Sequence, residues 1–279
     1  MNSKIDNGLN IFEKPVSLKS LLEKDINKLN LVSSEGYLNT DKSIHTIRKS
    51  LKSLSAILLL CEVHFDRDQY LTWQSSIKSL SKKYGEGREH YVYIQTFNQI
   101  EKTLKSIDPG NRYEMKCNLE QQHNLIVNDI KNRDETVQSG KESITKLTEE
   151  LSSLDFNFAY KPLRRRLIIS FQKSRRLFKR LSLSSSAEEF HRFRKWCKIF
   201  YHQQIILDRI GSKKTSGKNK KLYKLTELLG NEHDLQMFYQ YLSTHFPELS
   251  KLSEALFRLK IKRLRKKALA NKDGLTLTK

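Results

Sequence analysis

Residues that interrupt helices are scarce in this chain, which has 10 glycines and 4 prolines among 279 residues. Glycine and proline mark turns, bulges and strand ends, and a low content of both is typical of mostly helical proteins. No stretch shows the convincing alternation of apolar and polar residues that indicates a half-buried strand. The sequence therefore predicts an all-α fold, with about four helices in each half of the chain.

Cysteines and long apolar runs are also scarce. Cys61, Cys117 and Cys197 lie far apart, no pair has the spacing of a zinc site, and their odd number argues against a disulfide framework. We therefore expect no metal site, and a reducing compartment. The longest apolar run, residues 56–61, is far too short to span a bilayer, and residues 1–17 lack the basic start and apolar run of a signal peptide. These absences predict a cytoplasmic protein without membrane insertion.

Motifs of common catalytic and cofactor sites are missing from the sequence. It contains no GxGxxG, no HExxH and no GxxxxGK followed by Ser or Thr. No pair of carboxylates recurs as an acid–base set. We therefore expect a binding protein with no cofactor and no catalytic residue, rather than an enzyme.

Acidic residues are greatly outnumbered, with 31 Asp and Glu against 52 Lys and Arg, so the formal net charge is +21. Such an excess disfavours a compact chain unless counter-ions or a polyanion bind. Binding a polyanion releases counter-ions, so the composition predicts an anionic partner. Aromatic residues do not interleave with the basic ones as stacking platforms would, which makes single-stranded nucleic acid the weaker candidate.

A short motif of one histidine and three basic residues occurs twice, at an offset of 146 residues (191 − 45). The first motif consists of His45, Arg48, Lys49 and Lys52, and the second of His191, Arg194, Lys195 and Lys198. The residues between them differ. A packing repeat would copy apolar residues, so these copied polar residues are the candidate functional ones, and their recurrence indicates an internal duplication.

On a helix, each motif places cations on one face. His45, Arg48 and Lys52 would fall within roughly 60° of one another and span about 10 Å. Apolar residues follow a neighbouring face at helical spacing. They are Ile44, Ile47, Leu51, Leu54 and Leu58 beside the first motif, and Phe190, Phe193, Cys197 and Phe200 beside the second. Like charges at this spacing cost an isolated helix a few tenths of a kcal/mol per pair, and finding the face twice predicts an anion that offsets the cost.

A second set of residues recurs at nearly the same offset, 145 residues (230 − 85). It consists of Gly85, Arg88 and Glu89 in the first half, and Gly230, His233 and Asp234 in the second. We interpret both sets as structural: the glycines as helix C-caps, and the acids as residues at a helix start or beside a nearby base. The other histidines are interpreted as surface or satisfied core groups: His64, His90, His123, His202 and His245.

Periodicity and breaks divide the chain into two halves, residues 1–153 and 154–279. In the first half we predict a helix after Pro15, then helices over 45–64, 68–83 and 88–106. Thr40, Asp41 or Ser43 is the expected cap of the helix with the first motif. Residues 111–153 are predicted to form one or two exposed helices with a break near 139–140.

In the second half we predict a basic helix from about Tyr160 to Arg180, a capping loop over 182–186, and the helix of the second motif. Residues 210–221 read as a flexible run. Further helices are predicted over 222–229, ending at Gly230, then from about Asp234, and over 249–270. Pro15 and Pro162 are both expected in the first turn of a helix.

At the two motifs the sequence resembles the CHAD family, a helical domain named for its histidines. The family pattern is similar to H-x-x-R-K-x-x-K at the start of a helix in each of two repeats, as in the first and second motifs. A second family marker resembles residues 84–89 and 228–235, and an Arg-rich helix before the second histidine resembles the segment with Tyr160 and Arg164. The resemblance covers about residues 17–265.

Resemblance to this family implies two antiparallel four-helix bundles related by pseudo-two-fold symmetry. Basic faces of both repeats would line a shared groove or pore that binds inorganic polyphosphate. The implied binding residues are those of the two motifs together with Lys19, Arg164, Arg165 and Lys173. The chain departs from the family pattern at Ser55 and Tyr201, where a third basic residue often stands, and at Glu89, where aspartate is usual. The family's catalytic companion, a triphosphate tunnel, is absent, so no triphosphatase activity is implied.

The favoured interpretation is a non-catalytic protein that binds polyphosphate and associates with polyphosphate granules. Two alternatives from other classes stay open. A four-helix histidine phosphotransfer protein would need one exposed histidine that serves an acidic receiver, and two histidines flanked by Arg and Lys fit anion binding better. A helical nucleic-acid-binding protein would share the same excess of positive charge.

Overall fold

The computed structural model describes residues 15–34, 41–132, 134–210, 217–271 and 274–275. These residues form ten α-helices, which confirms the predicted all-α class. The helices are α1 (Lys19–Ser34), α2 (Asp41–Cys61), α3 (Arg67–Lys83), α4 (Glu86–Ile100), α5 (Pro109–Asn132), α6 (Asp134–Ser152), α7 (Tyr160–Arg180), α8 (Ala187–Ile210), α9 (Gly217–His245) and α10 (Pro247–Ala270). Short 3₁₀ turns follow α2 at Glu62–His64 and α4 at Glu101–Thr103. No helix in the described ranges is long and apolar enough to cross a membrane.

Two short strands, which periodicity did not reveal, link the beginnings of the two halves. β1 (Pro15–Ser17) pairs antiparallel with β2 (Asn157–Ala159), with Val16 opposite Phe158. Three residues are too few to show a clear alternation of apolar and polar side chains. The expectation that Pro15 lies in the first turn of a helix is therefore wrong, because α1 begins only at Lys19. Pro162 does lie in the first turn of α7, as predicted.

Two hydrophobic cores hold the helices together, and each draws on both halves of the sequence. The first core joins α1, α2, α3, α6, α7, α8, the first part of α9 and the end of α10, with Trp73, Phe190 and Phe200 fully buried. The second core joins α4, α5, the rest of α9 and the first part of α10, with Phe238 at its centre. The division of the chain into two domains at residue 153 stays a prediction.

Helix α9 is continuous through Gly230, so the predicted helix end at that glycine and the new start near Asp234 are wrong. Glycine inside a helix costs about 1 kcal/mol relative to alanine. Packing on both sides outweighs that cost, because Leu222, Leu225 and Leu229 lie in the first core and Leu235, Phe238 and Leu242 in the second. A β-carbon at Gly230 would have no atom within 4 Å, so no close approach requires glycine there.

Within residues 109–152 the described residues form α5, through Asn132, and α6, from Asp134; α6 runs unbroken through residues 139–140, so the break predicted there is wrong. Gly140 is buried inside α6, where a β-carbon would collide with the hydroxyl of Tyr84. The helix is also less exposed than predicted. Ile144, Leu147 and Leu151 are buried where α6 packs against α1 and α3.

Part of the run that was predicted to be flexible is helical. Residues 211–216 lie outside the described residues, but α9 begins at Gly217 rather than near Leu222. Asn219 is buried, and its amide donates to Asp208 Oδ2 of α8 at 2.5 Å and also contacts Gln204. These amide and carboxylate contacts hold the start of α9 against α8.

Candidate functional site

The first motif lies on α2 with the arrangement that its spacing predicts. Ile44, Ile47 and Leu51 are buried in the first core, and His45 and Lys52 consequently reach the surface. Arg48 is half-buried and Lys49 exposed. Of the predicted caps of this helix, Thr40 lies outside the described residues, and Ser43 is buried within the helix itself.

The second motif lies on α8, and its start is fixed by a reciprocal cap. The Ser186 backbone N–H donates to Glu189 Oε2 at 2.8 Å, while the Glu189 N–H donates to Ser186 Oγ at 3.2 Å. This capping box confirms the predicted capping loop. Phe190, Phe193, Cys197 and Phe200 are buried, which leaves His191 and Lys195 exposed and Arg194 and Lys198 half-buried.

The two motifs meet, because α2 packs directly against α8. The ammonium of Lys52 reaches solvent but sits in crowded surroundings, and burial is the main cause that lowers its pKa to about 8. Positive charges from both halves of the chain lower it further: Arg48, Lys198, Arg194 and Arg88, in that order. We call Lys52 and these four residues the cationic cluster. Like charges oppose protonation of one another, so the cluster is a region of strong positive potential.

Asp234 is the acid that lies against the cationic cluster. Burial raises the pKa of its carboxyl, and the charges of Arg194, Lys198, Arg88 and Lys52 oppose that rise. Because Asp234 lies in the middle of α9, it does not mark a helix start. The alternative prediction for Asp234, that it lies beside a basic residue, fits the geometry. Its sequence counterpart Glu89 is exposed in the first turns of α4, with its backbone N–H donating to the Gly85 carbonyl at 3.0 Å.

Arg48 is held by the end of helix α3. Its Nη1 donates to the carbonyl of Ser81 at 2.6 Å, where the negative end of the helix dipole favours a cation. Gly85 makes this approach possible, because a β-carbon there would lie 2.9 Å from the Lys82 carbonyl and 3.4 Å from Arg48 Nη1. Gly85 has a φ of −77°, so it does not act as the left-handed C-cap that was predicted.

Among the described residues Arg194 has no such backbone partner, and α9 is continuous where the first half breaks between α3 and α4. Its Nε atom is buried without a hydrogen-bond partner among the described residues. Burial lowers its pKa, and the charges of Asp234, Glu232 and Glu227 raise it. Glu232 is already engaged, since it accepts a hydrogen bond from Arg265 Nε at 2.7 Å. Arg194 therefore has a buried N–H group that a ligand could engage only after local rearrangement.

The imidazoles of His191 and His233 are in contact, with 3.4 Å between their Nδ1 atoms and 4.7 Å between ring centroids. A hydrogen bond between them needs a proton on one nitrogen and a lone pair on the other. Burial is the main cause that lowers the pKa of His233 to about 4, followed by the charge of Arg194. Burial, then Arg194, also lowers the pKa of His191. Without an anion, the pair is therefore neutral at neutral pH.

His202 is a residue of this region that the sequence analysis missed. Burial lowers its pKa to about 4, and the charges of Lys198, Lys52 and Lys49 act in the same direction. Its position in the sequence could have indicated this role. His202 lies one helical turn after Lys198 and 11 residues after His191, and this spacing places it on the same helix face. His45 also has a lowered pKa, because of burial and then the charge of Arg88.

The other predicted binding residues lie on α1 and α7. Lys19 and Arg165 are exposed and Arg164 is half-buried, and none of these three side chains forms a hydrogen bond or ion pair within the described chain. Lys173 holds its Nζ 4.1 Å above the ring of Trp196, which places α7 against α8. Arg166, which was not singled out, has a structural role: its Nε donates to the Leu59 carbonyl at 3.1 Å and its guanidinium pairs with Glu62.

Comparison with protein families gives a match to the CHAD domain over residues 21–243. The chain belongs to the CHAD domain family. Among solved structures, this CHAD chain is similar to PptA from Streptomyces chartreusis, with a TM-score of 0.67 and 12% identity over 94% of this chain and 98% of that one. It is also similar to the CHAD domain of the plant Ricinus communis, with a TM-score of 0.57 and 14% identity over 99% and 94%. Identities this low show a shared fold alone. No curated protein matches the chain.

Proposed function

We propose that this CHAD protein binds inorganic polyphosphate, without catalysing a reaction, through the basic helix faces of both halves. The family is associated with polyphosphate binding, and the chain carries a net charge of +21. The first and second motifs would line one groove along the contact between α2 and α8. We place the protein in the cytoplasm, where such binding would associate it with polyphosphate granules.

The observation that carries this proposal is the cationic cluster. Lys52 of α2 has its pKa lowered to about 8 in part by Lys198 and Arg194 of α8, so basic groups 146 and 142 residues apart in sequence share one surface. Holding like charges together opposes folding unless an anion neutralises them. Lysine offers a compact charge and arginine a bidentate fork, which are the two ways in which proteins bind phosphate groups.

Helix order supports the proposed duplication and its pseudo-two-fold symmetry. Each half begins with a short strand, and β1 and β2 pair with each other. A helix precedes each motif, α1 or α7, and the motif helices are α2 and α8. Helices α3 and α4 then correspond to the continuous α9, and α5 to α10, since α4 packs on α5 as α9 packs on α10. Helix α6 has no counterpart among the described helices of the second half.

Titration with long-chain polyphosphate at low salt and at roughly 0.5 M salt tests the proposal. If the five cations of the cluster each neutralise one phosphate, the logarithm of the affinity should fall with the logarithm of salt concentration with a slope of about −4 or steeper. An affinity that barely changes over this range would contradict the proposal.

Two further experiments distinguish polyphosphate binding from the alternative functions. RNA and DNA at matched charge should compete less well than polyphosphate if the site is adapted to phosphate chains, and equal or better competition would favour a nucleic-acid-binding protein. Incubation with a small phosphodonor should leave no acid-labile phosphohistidine on His45 or His191. Stoichiometric labelling of either residue would instead favour histidine phosphotransfer.

A further inference from the structure

A cleft of about 550 Å³ lies between α4, α9 and α10. Its charged lining residues are Arg88, Asp234, Lys260 and Arg263. Side-chain amides also line it, from Gln95 and Gln99 of α4 and from Asn231 of α9. None of the family-implied binding residues lies in this cleft.

The cleft adjoins the cationic cluster through two residues. Arg88 is a member of the cluster and also lines the cleft, and Asp234 lies against the cluster and lines the cleft as well. The charge of Asp234 is surrounded by Arg194, Lys198, Arg88 and Lys52, so an anion that passes this point meets more positive than negative charge.

The cations on the α10 side of the cleft form no ion pair with any described residue. In the part of the chain that the structure describes, no carboxylate lies within ion-pair distance of Lys260 or Arg263, whereas Arg258 on the same helix pairs with Glu254. Arg88 stacks its guanidinium 4.9 Å from the centre of the Tyr91 ring. Stacking of this kind holds the guanidinium plane and leaves its N–H edge available to an anion.

We propose that this cleft continues the polyphosphate path, so that a chain held by the cationic cluster runs past Arg88 and Asp234 to Lys260 and Arg263. This inference rests on the proposed function. The amides of Gln95, Gln99 and Asn231 can donate hydrogen bonds to phosphate oxygens between the charged positions. The consequence is a dependence on chain length: a long chain reaches α10, and a short one that is seated in the cluster does not.

Helix α10 supplies a matched pair of variants. Its buried stripe includes Phe257, Ile261 and Arg265. At 100° per residue, Lys260 and Arg263 lie on one side of this stripe, and Lys262 and Lys266 lie at similar angles on the other side. The test variant is Lys260→Gln with Arg263→Gln, and the control is Lys262→Gln with Lys266→Gln. Both variants remove two positive charges from largely solvent-facing positions of one helix, so neither should disturb folding.

Binding is measured for wild type, test variant and control with long-chain polyphosphate and with tripolyphosphate, over a series of salt concentrations. The test variant should lose about tenfold in affinity for the long chain, and its salt slope should fall by roughly 1.5 in magnitude, because two phosphate contacts are lost. Its affinity for tripolyphosphate should stay within about twofold of wild type, and the control should change little with either ligand.

Equal losses in the test variant and the control would overturn the inference. They would show that the overall positive charge of α10, rather than a defined path for the chain, attracts polyphosphate. Unchanged binding of the long chain by the test variant, or an equal loss for both ligands, would overturn it as well. These outcomes leave the proposed function standing so long as wild type binds polyphosphate with the expected salt dependence. Failure of wild type to bind would instead overturn the proposed function, and this inference with it.

Discussion

The two halves of this CHAD protein hold equivalent arginines in different ways. In the first half the helix after the motif breaks between Lys83 and Glu86, and Arg48 donates to the Ser81 carbonyl that the break exposes. In the second half α9 is continuous, and the charges of Asp234, Glu232 and Glu227 favour the charged form of Arg194, as the charge of Glu89 favours that of Arg48. Arg48 is thus held by a helix-end carbonyl, and Arg194 lies near three carboxylates, of which Glu232 is buried and Glu227 exposed.

This difference shows how a repeated motif can keep its charge pattern while its support changes. A helix end offers carbonyl groups to a cation without placing a negative charge beside the site. A continuous helix offers none, so the second half relies on acids, and the buried one, Glu232, needs a partner of its own. Arg265 is that partner: it pairs with Glu232, donates to the Ser185 carbonyl at 2.7 Å and lies 4.2 Å from the centre of the Phe190 ring.

The largest effect is expected from breaking the buried pair in the second half. Glu232→Ala strands the Arg265 guanidinium in a buried position and should lower the free energy of unfolding by about 3–5 kcal/mol. Both side chains are under 10% exposed, at 9% for Arg265 and 4% for Glu232. Denaturant unfolding measures the change. Glu89→Ala, at the exposed acid of the first half, should cost less than about 0.5 kcal/mol and is the control.

A joint replacement sharpens this comparison. Glu232→Leu with Arg265→Met removes both charges and should recover most of the stability that Glu232→Ala loses, because no unpaired charge stays buried. If Glu232→Ala instead costs no more than its control, the second half does not depend on the buried carboxylate of Glu232 for its support.

An intermediate effect is expected when each arginine is shortened to a neutral side chain. Arg48→Met loses a charge-assisted hydrogen bond to Ser81 and should lower the free energy of unfolding by about 1.5–3 kcal/mol. Arg194→Met loses no backbone partner and removes a partly buried cation, so its stability should stay close to that of wild type. Thermal melts and polyphosphate titrations of both variants provide the measurement. Both variants should bind polyphosphate more weakly, and equal losses of stability would contradict the two modes of support.

A smaller effect is expected from pH, and it falls mainly on the second half. The pKa of His202 and that of His233 are each lowered to about 4, below the ordinary 6.5, so the unfolded chain binds more protons between these values. The free protein should therefore lose stability as pH falls from about 6.5 towards 4. Melting temperatures over this range provide the measurement, and the slope should flatten in His202→Gln with His233→Gln.

The affinity for polyphosphate should depend on pH in the opposite direction to the stability of the free protein. A bound anion favours protonation of His191 and His233, so the complex takes up protons and the affinity rises as pH falls below about 6.5. Calorimetry in two buffers of different ionisation enthalpy detects the proton uptake. Zero uptake would leave the histidines as neutral hydrogen-bonding groups.

The helix faces of both motifs could be predicted from the sequence, because a 3.6-residue period decides which side chains are buried. Ile47 and Phe193 are buried while Lys49 and Lys195 are exposed, as their spacing requires. The cap of α8 was also predictable, since Ser186 and Glu189 form a local pair that depends on no distant residue. Local periodicity and local hydrogen bonding account for these successes.

Features that depend on distant packing could not be predicted in this way. Gly85 and Gly230 look alike in sequence, yet only the first lies beside a helix break, because two cores pack along α9 and keep it continuous. His202 carries no repeated neighbours, and its place near Lys52 arises from the contact of α2 with α8. The pairing of β1 with β2 likewise joins segments that are far apart in the chain.

The central claim is that the two motifs form one anion site, and calorimetric titration with tripolyphosphate tests it most directly. Wild type should show one high-affinity binding event, and Lys52→Gln and Lys198→Gln should each weaken that same event. The double variant should show non-additive losses, since the two ammonium groups act on one ligand. Lys24→Gln and Lys78→Gln, at exposed positions on α1 and α3, are the controls and should change little. Two independent binding events, each abolished only by the variant in its own helix, would contradict the claim.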